Sequence, residues 1–180
     1  MKTIRPHDPR WTQMFAAEAQ AIAARLGKTA LQIDHIGSTA IPDIFAKPVI
    51  DILVRVTSLS DLDARTAAMT AIGYEPRGEH GIAGRRYYKK KIGASGVGFH
   101  VHCYPHESEQ IARHLHFRDL LLLEPDVAAQ YSALKQSLAN ADGVLVADYA
   151  ARKAEFVRRV QDAATLRFAG NGVPSLRSRH

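Results

Sequence analysis

The stretch HIGSTAIPDIFAKPVIDILVRV, residues 35–56, decides the fold of this chain. It reads as an apolar strand that stops at Gly37-Ser38, a short connector, and a second strand that carries Asp51 within the run VIDILV. A strand ending in a Gly-Ser turn presents backbone N–H groups and a hydroxyl, which together can bind phosphate. A carboxylate in an apolar strand is costly unless it meets a cation or hydrogen-bond donors. The pattern therefore indicates a phosphate site beside an acid. Alternatively, Gly37 only supplies a turn and Asp51 is a structural hydrogen-bond acceptor.

The segment resembles the signature of the GrpB family, which is itself similar to the nucleotidyltransferase superfamily. In that superfamily a Gly-Ser turn is followed by a strand with the pattern acid-x-acid, and the two acids hold divalent metal for nucleotidyl transfer. Gly37-Ser38 and Asp51 match the turn and the first acid, whereas Leu53 occupies the second acid position. The resemblance implies Ser38 and Asp51 as catalytic residues and Mg²⁺ or another divalent metal as cofactor. Leu53 removes one of the two usual metal ligands.

The resemblance extends beyond this segment. DPRW near the start, YEPRGEHGIAGRRYY in the middle, HVH and ARHLHFRDLL also resemble the family, within residues 7–162. The resemblance implies an α+β fold in which a nucleotidyltransferase-like mixed β-sheet is packed with helices and the C-terminal half is helical.

Length and composition favour a single domain. The chain has 180 residues, enough for one well-buried core and short for two. We predict one domain at residues 1–169, followed by a disordered basic tail at residues 170–180. No apolar run approaches a membrane span, and the start MKTIRPHDPRW lacks the apolar core of a signal peptide, so we expect a cytoplasmic protein. The single cysteine, Cys103, is expected to be a small core residue.

The charge balance favours anionic ligands. The chain carries a formal net charge of +6, but its basic residues are dispersed, with one dense cluster at residues 85–91. That cluster includes two tyrosines and could bind nucleic acid through phosphate contacts and stacking. Solvated lysines at a strand edge explain the same cluster more simply, so nucleic-acid binding is the less favoured interpretation.

Apolar periodicity predicts the order of helices and strands. The predicted helices are residues 8–26, 60–72, 107–122, 125–140 and 146–168, and the predicted strands are residues 30–36, 48–56, 85–91 and 97–104. Asp8 and Pro9 mark the start of the first helix and Gly27 its end. Strands in the first half and helices in the second are typical of an α+β fold with one mixed sheet.

Strand alternation suggests a cluster of histidines near Asp51. His100 and His102 are two residues apart, so both side chains lie on one face of their strand. If the strands are neighbours, the same face could bring His35, Asp51, His100 and His102 together. Asp51, His100 and His102 would then form a two-histidine, one-acid metal site. Alternatively, the histidines bond backbone groups or ligand phosphates without a metal.

Ser38 and several cations are candidates for phosphate binding. Lys47 precedes Pro48 at the entrance to the Asp51 strand, where its ammonium could meet either a phosphate or solvent. Arg85 and Arg86 follow the glycine loop RGEHGIAGR. We select Arg86, since its planar guanidinium suits bidentate contact with phosphate.

Lys153 is a further candidate because it lies on the apolar face of the last helix, together with Tyr149, Phe156 and Val160. Its ammonium either extends past the edge of the core to solvent or reaches into the cleft between helices and sheet.

Arg118 is also a candidate for phosphate binding. Adjacent helical residues do not face each other, so we expect Arg118 and Asp119 not to pair and each to need a partner elsewhere. Arg118 could hold a carboxylate or phosphate, or it could fix its helix onto the sheet.

Two functional hypotheses follow. The first is a nucleotidyltransferase-like protein that binds a nucleotide or another phosphorylated small molecule and, if catalytic, performs metal-assisted nucleotidyl transfer. The alternative is a catalytically inactive module that retains the nucleotide or phosphate pocket, which Leu53 favours. Neither hypothesis involves a membrane.

Overall fold

A computed structural model describes residues 4–91, 93, 96–140 and 146–169, so the predicted tail at residues 170–180 lies outside the described residues. The helices described are Arg10–Leu26 (α1), Leu59–Asp63 (α2), Thr66–Ala71 (α3), Glu109–Leu123 (α4), Pro125–Asn140 (α5) and Val146–Ala169 (α6). The strands are Ala30–Ile36 (β1), Val49–Val56 (β2), Glu75–Pro76 (β3), Arg86–Lys90 (β4) and Gly98–Pro105 (β5).

The strands form one mixed sheet in the order β1-β2-β5-β4-β3. Strands β2 and β5 are parallel, whereas the other neighbouring pairs are antiparallel. A parallel pair needs a long crossover, which the chain between β2 and β5 provides through α2, α3, β3 and β4. The mixed sheet with its packed helices confirms the predicted α+β fold.

The central strand β2 separates two differently packed faces. Ile50, Ile52 and Val54 point into the main core, where they pack with Trp11 of α1 and other buried apolar residues. On the other face, Leu53 packs in a smaller cluster with Ile36, Tyr104, Ile111 and Leu115, the last two from α4. Asp51 lies on this second face, beyond the part that α4 covers, because alternate residues of a strand share a face.

A third apolar cluster joins the helical half to the connector between β1 and β2. It contains Ile41 and Ile44 of the connector, with Phe117, Tyr131, Phe156 and Val160 from the last three helices. The backbone N–H of Phe45 donates to the Ser132 hydroxyl of α5 at 2.9 Å. These contacts hold α5 and α6 beside the Gly-Ser turn.

The first helix, α1, ends where the sequence predicts and starts close to its predicted first residue. It begins at Arg10, two residues later than predicted, because the Asp8 carboxylate accepts the backbone N–H of Arg10 at 3.0 Å and holds residue 8 outside the helix. The helix ends at Gly27, whose φ of +55° suits glycine.

Two details differ from the sequence prediction. The helix predicted at residues 60–72 is two short helices, α2 and α3, because the backbone of Arg65 leaves the helical region at φ −100° and ψ 4°. Ser58 caps α2 by accepting the backbone N–H of Asp61. The two-residue edge strand β3 is too short for any periodic pattern to reveal. Among the described residues, no helix is long and apolar enough to cross a membrane.

Candidate functional site

The Gly-Ser turn and Asp51 are in direct contact. Gly37 has φ +72°, and a Cβ atom built on it would lie 2.4 Å from Asp51 Oδ2. Any larger residue would therefore be strained in its backbone and would collide with the carboxylate. Gly37 is thus required both by the predicted turn and by the close approach of the Asp51 carboxylate. Ser38 starts the 3₁₀ turn that follows.

Two histidines of β5 flank the Asp51 carboxylate. Asp51 Oδ1 lies 3.4 Å from His100 Nδ1 and 3.5 Å from His102 Nε2. Burial alone would raise the pKa of Asp51, but hydrogen bonding from His100 and His102 outweighs it and holds that pKa well below its ordinary value. Asp51 is therefore an ionised acceptor at neutral pH.

A polar cavity opens beside Asp51, between the sheet and the last two helices. Its volume is about 220 Å³. The residues that line it are Ile4, Ser38, Lys47, Val49, Asp51, His100, Lys135 and Lys153. Three ammonium groups thus surround one carboxylate and one hydroxyl, and this composition suits a ligand that carries negative charge. We call this space the lysine cavity.

Lys135 of α5 is the most unusual member of the lysine cavity. It is only 3% exposed, and its Nζ has no hydrogen-bond partner among the described residues. The ammonium lies 4.3 Å from the centre of the Tyr131 ring, a favourable but weak contact. Burial, reinforced by the charge of Lys153, lowers the pKa of Lys135 to about 7.

Lys135 was not predicted as a site residue, although a signal for it exists. Its neighbours on the buried face of α5 include Ala128, Tyr131 and Leu138, at helical spacing. A lysine on an apolar helix face is the same signal that singled out Lys153, which the structure does bring to the cavity.

The predicted residues divide into two groups. The structure brings Ser38, Lys47, Asp51, His100 and Lys153 together in the lysine cavity, with Gly37 against Asp51 and His102 beside it. It places His35, Arg86 and Arg118 elsewhere.

His35 lies on the opposite face of the sheet from Asp51. In the register of β1 and β2, Ile36 is opposite Asp51 and His35 is opposite Ile52, so the expectation that His35 joins the cluster is wrong. The ring stacks on Phe15 at 4.6 Å, and His35 Nε2 is 3.0 Å from the Thr39 hydroxyl. Burial lowers the pKa of His35 to about 4, so the ring is neutral at pH 7.

Arg86 points away from the cavity and forms two hydrogen bonds with Asp63, at 2.7 and 2.8 Å. Its neighbour Arg85 lies instead on the side of His102, with 3.3 Å between Arg85 Nη1 and His102 Nδ1. Since successive strand residues point to opposite faces, the selection of Arg86 over Arg85 depended on a register that the sequence does not reveal.

Arg118 is buried in contacts with the protein itself. Its Nε donates to Asp119 Oδ1 at 2.7 Å and its Nη1 donates to the carbonyl of His35 at 3.1 Å. Asp34 Oδ1 is 3.8 Å from Nη1. The expectation that Arg118 and Asp119 do not pair is wrong, because the long arginine side chain curls back to its buried neighbour. The contacts fix α4 onto β1.

The basic cluster at residues 85–91 does not form a continuous surface. Arg85 is buried, Arg86 pairs with Asp63, and Lys90 pairs with Glu18 at 2.8 Å. This dispersal weakens the case for a nucleic-acid surface, which needs cations on one face.

The donors around Asp51 do not fit a divalent metal well. Among the described residues, no group of three or more His, Cys, Asp or Glu side chains is arranged to hold a metal ion. Leu53, at the second acid position, is fully buried under α4. Three lysines nearby add positive charge that opposes a cation. The divalent metal stays a prediction, but the lysine cavity favours an anion.

The sheet and its flanking helices form a fold that is similar to that of a nucleotidyltransferase. The structure resembles that of the nucleotidyltransferase Cid1 in complex with its short product ApU, with a TM-score of 0.51 and 15% identity, over 73% of this chain and 42% of the Cid1 chain. At this identity the similarity shows the fold alone.

The chain belongs to the GrpB family. The family profile, described as GrpB protein, matches residues 2–163. The crystal structure of the conserved protein GrpB from Enterococcus faecalis matches with a TM-score of 0.84 and 36% identity, over 93% of this chain and 99% of that chain. These matches confirm the family resemblance that the motifs indicated.

Relatives of the chain include longer proteins. UPF0157 protein YqkA of Bacillus subtilis is 37% identical over 158 residues, which cover 88% of this chain and 46% of that protein. A dephospho-CoA kinase of Mycolicibacterium paratuberculosis is 36% identical over 182 residues, covering 84% of this chain and 43% of the kinase. The chain therefore spans less than half the length of these two relatives.

Proposed function

We propose that the chain binds a nucleotide or another phosphorylated small molecule in the lysine cavity. The observation that carries this proposal is Lys135, whose buried Nζ has no hydrogen-bond acceptor among the described residues and lines a polar cavity. Burying an ammonium without an acceptor is costly, so a phosphate oxygen that supplies the acceptor would relieve a cost already present in the free protein.

Charge complementarity extends this argument from one lysine to the whole cavity. Lys47, Lys135 and Lys153 offer ammonium donors, and Ser38 offers a hydroxyl donor at the mouth of the Gly-Ser turn. Charge-assisted hydrogen bonds from such donors to phosphate are stronger than neutral ones. The donors are spread around the cavity, so they suit a group with several anionic oxygens better than a single carboxylate.

Asp51 favours an organic phosphate over inorganic phosphate. An ionised carboxylate in the same cavity repels phosphate oxygens and accepts hydrogen bonds from ligand O–H or N–H groups. A ligand with an anionic end and a donor end, such as a nucleotide with its ribose hydroxyls, satisfies both parts of the cavity.

The similarity to dephospho-CoA kinases adds a ligand to test and does not carry over the kinase activity. The chain covers 43% of that relative, and its only Gly-Lys-Thr sequence, at Gly27, has Ile22 where a phosphate-binding P-loop needs glycine. We therefore include dephospho-CoA among the ligands tested.

Nucleotidyl transfer is the second candidate function. Asp51 occupies the position of the first acid in the resembling superfamily and is ionised. The second acid position holds a buried leucine, so binding without turnover is the function that the site supports better.

The experiment is isothermal titration calorimetry of the chain with ATP, GTP, dephospho-CoA and inorganic phosphate, each with and without Mg²⁺ or Mn²⁺. We expect metal-independent binding of at least one nucleotide, weakened at least about tenfold by Lys135→Met. Lys28→Met, which removes an exposed lysine outside the cavity, is the matched control and is expected to bind normally. Equal affinities for wild type and Lys135→Met would contradict the proposal.

Pyrophosphate release distinguishes the two candidate functions. If the chain catalyses nucleotidyl transfer, the wild type should release pyrophosphate from a nucleoside triphosphate and Asp51→Asn should not. If the chain only binds the nucleotide, neither the wild type nor Asp51→Asn should release pyrophosphate.

A further inference from the structure

Arg85 is a buried cation next to the lysine cavity that the proposed function does not use. Only 6% of its surface is exposed, although it follows a glycine-rich loop. Its Nε donates to the carbonyl of Glu79 at 3.1 Å and its Nη2 donates to the carbonyl of His80 at 2.8 Å. The guanidinium also lies 4.9 Å from the centre of the Tyr87 ring. Its third nitrogen, Nη1, faces His102 Nδ1 at 3.3 Å.

This last contact determines which nitrogen of His102 carries the proton. A guanidinium has only donors and keeps its charge in proteins, so His102 Nδ1 must accept the hydrogen bond. In the neutral ring the proton is then on Nε2, the nitrogen that lies 3.5 Å from Asp51 Oδ1. His102 therefore accepts from Arg85 on one side and points its N–H at Asp51 on the other.

We propose that Arg85 is a positioning residue of the site, which fixes the Nε2–H tautomer of His102 and through it the orientation of the Asp51 carboxylate. The inference rests on the proposed function only in that Asp51 contacts the ligand. With Oδ1 directed to the two histidines and Oδ2 against Gly37, the carboxylate has one defined orientation.

The same arrangement makes the histidine pair less suited to hold a metal. Both nitrogens of His102 are directed at protein groups, Nδ1 at Arg85 and Nε2 at Asp51. A metal would need one lone pair from this ring and would have to displace one of these contacts.

Arg85 also connects the glycine loop to the site. Glu79 and His80, whose carbonyls it holds, belong to a loop with positive φ values at Gly78, His80, Gly81 and Gly84. The positive φ of His80, +46°, is uncommon for a residue with a side chain. The shape of this loop is thus tied, through Arg85 and His102, to the position of Asp51.

The test is long-range ¹H–¹⁵N NMR of the histidine side chains, which reads the tautomer directly without any ligand. The His102 signal is assigned from its loss in His102→Gln. We expect His102 to be an Nε2–H tautomer in the wild type. In Arg85→Met a population of the Nδ1–H tautomer should appear beside the Nε2–H form, which the Asp51 carboxylate still favours. Arg85→Lys retains a donor and should preserve the wild-type tautomer. The control is Arg86→Met, an adjacent arginine that pairs with Asp63, and it should leave the His102 signal unchanged.

A wild-type His102 protonated on Nδ1, or an unchanged tautomer in Arg85→Met, would overturn the proposal. If Arg85→Met does not fold, the wild-type tautomer and Arg85→Lys still decide it. The nucleotide affinity of Arg85→Met, measured with ATP, is expected to fall about tenfold. If the His102 tautomer changes in Arg85→Met but the wild type binds no nucleotide, the positioning role of Arg85 stands and the proposed function is rejected.

Discussion

Two buried cations in this protein have opposite surroundings. Arg118 of α4 is 6% exposed and meets Asp119, Asp34 and a backbone carbonyl. Lys135 of α5 is 3% exposed and meets an aromatic ring and a second lysine, with no hydrogen-bond acceptor among the described residues. One cation is fully compensated within the protein, whereas the other is not.

The difference separates a structural charge from one available to a ligand. Burying an ion pair costs desolvation free energy, which the attraction between the charges offsets. Removing one partner therefore leaves the other charge buried and uncompensated. A buried charge without partners is a cost that selection for stability alone would remove, and such groups gather at functional sites. Substitution of the two cations should therefore change stability in opposite directions.

The largest effect is expected from Arg118→Met. Asp119 would be left buried without its cation, whereas Asp34 would keep its contact with Arg55, 3.6 Å from Oδ2. The free energy of unfolding should fall by about 3–5 kcal/mol. Urea denaturation followed by circular dichroism measures this change. Arg86→Met, which removes a partly exposed ion pair, should cost less than about 1 kcal/mol. A loss for Arg118→Met as small as for Arg86→Met would remove the contrast between the two cations.

Lys135→Met should change the free energy of unfolding in the opposite direction from Arg118→Met, and by a smaller amount. Methionine fills a similar volume without a charge, so the free energy of unfolding should rise by about 2 kcal/mol at pH 7, less whatever the contact with Tyr131 contributed. The same denaturation experiment without ligand measures it. A destabilised Lys135→Met would mean that the ammonium is compensated within the protein after all.

The smallest effect is the pH dependence of that gain. The pKa of Lys135 is about 7 in the folded protein and ordinarily 10.5, so between these values the unfolded chain binds more protons. The wild type therefore gains stability as pH rises, and the advantage of Lys135→Met should shrink by about 1 kcal/mol between pH 7 and pH 8. Denaturation of both proteins at the two pH values tests this, and a constant difference would contradict the lowered pKa.

Much of the fold could be predicted because its signals are local. The first two strands, the end of α1 at Gly27 and the three C-terminal helices follow from periodicity and glycine. The contact of Gly37 with Asp51 also follows from one short segment, since the two strands it joins are adjacent in the sheet.

The residues that sequence reasoning misplaced depend on register and on distant neighbours. A shift of one residue decides whether His35 or Ile36 shares a face with Asp51, and whether Arg85 or Arg86 faces His102. Lys135 enters the site only because α5 packs on the connector, a contact 87 residues apart in sequence between Phe45 and Ser132. Periodicity within α5 marks Lys135 as a lysine on an apolar helix face, but it does not show which element packs against that face.

The hydrogen bond from Phe45 to Ser132 has a consequence for how the cavity tolerates change. Ser132 precedes Lys135 by three residues, a little less than one helical turn, so the bond sets the rotation of α5 within that turn. An insertion or deletion of one residue between the two would swing the ammonium by about 100° around the helix axis. The connector thus fixes the rotation of α5, and the three-residue spacing between Ser132 and Lys135 is as restricted as the identity of the lysine.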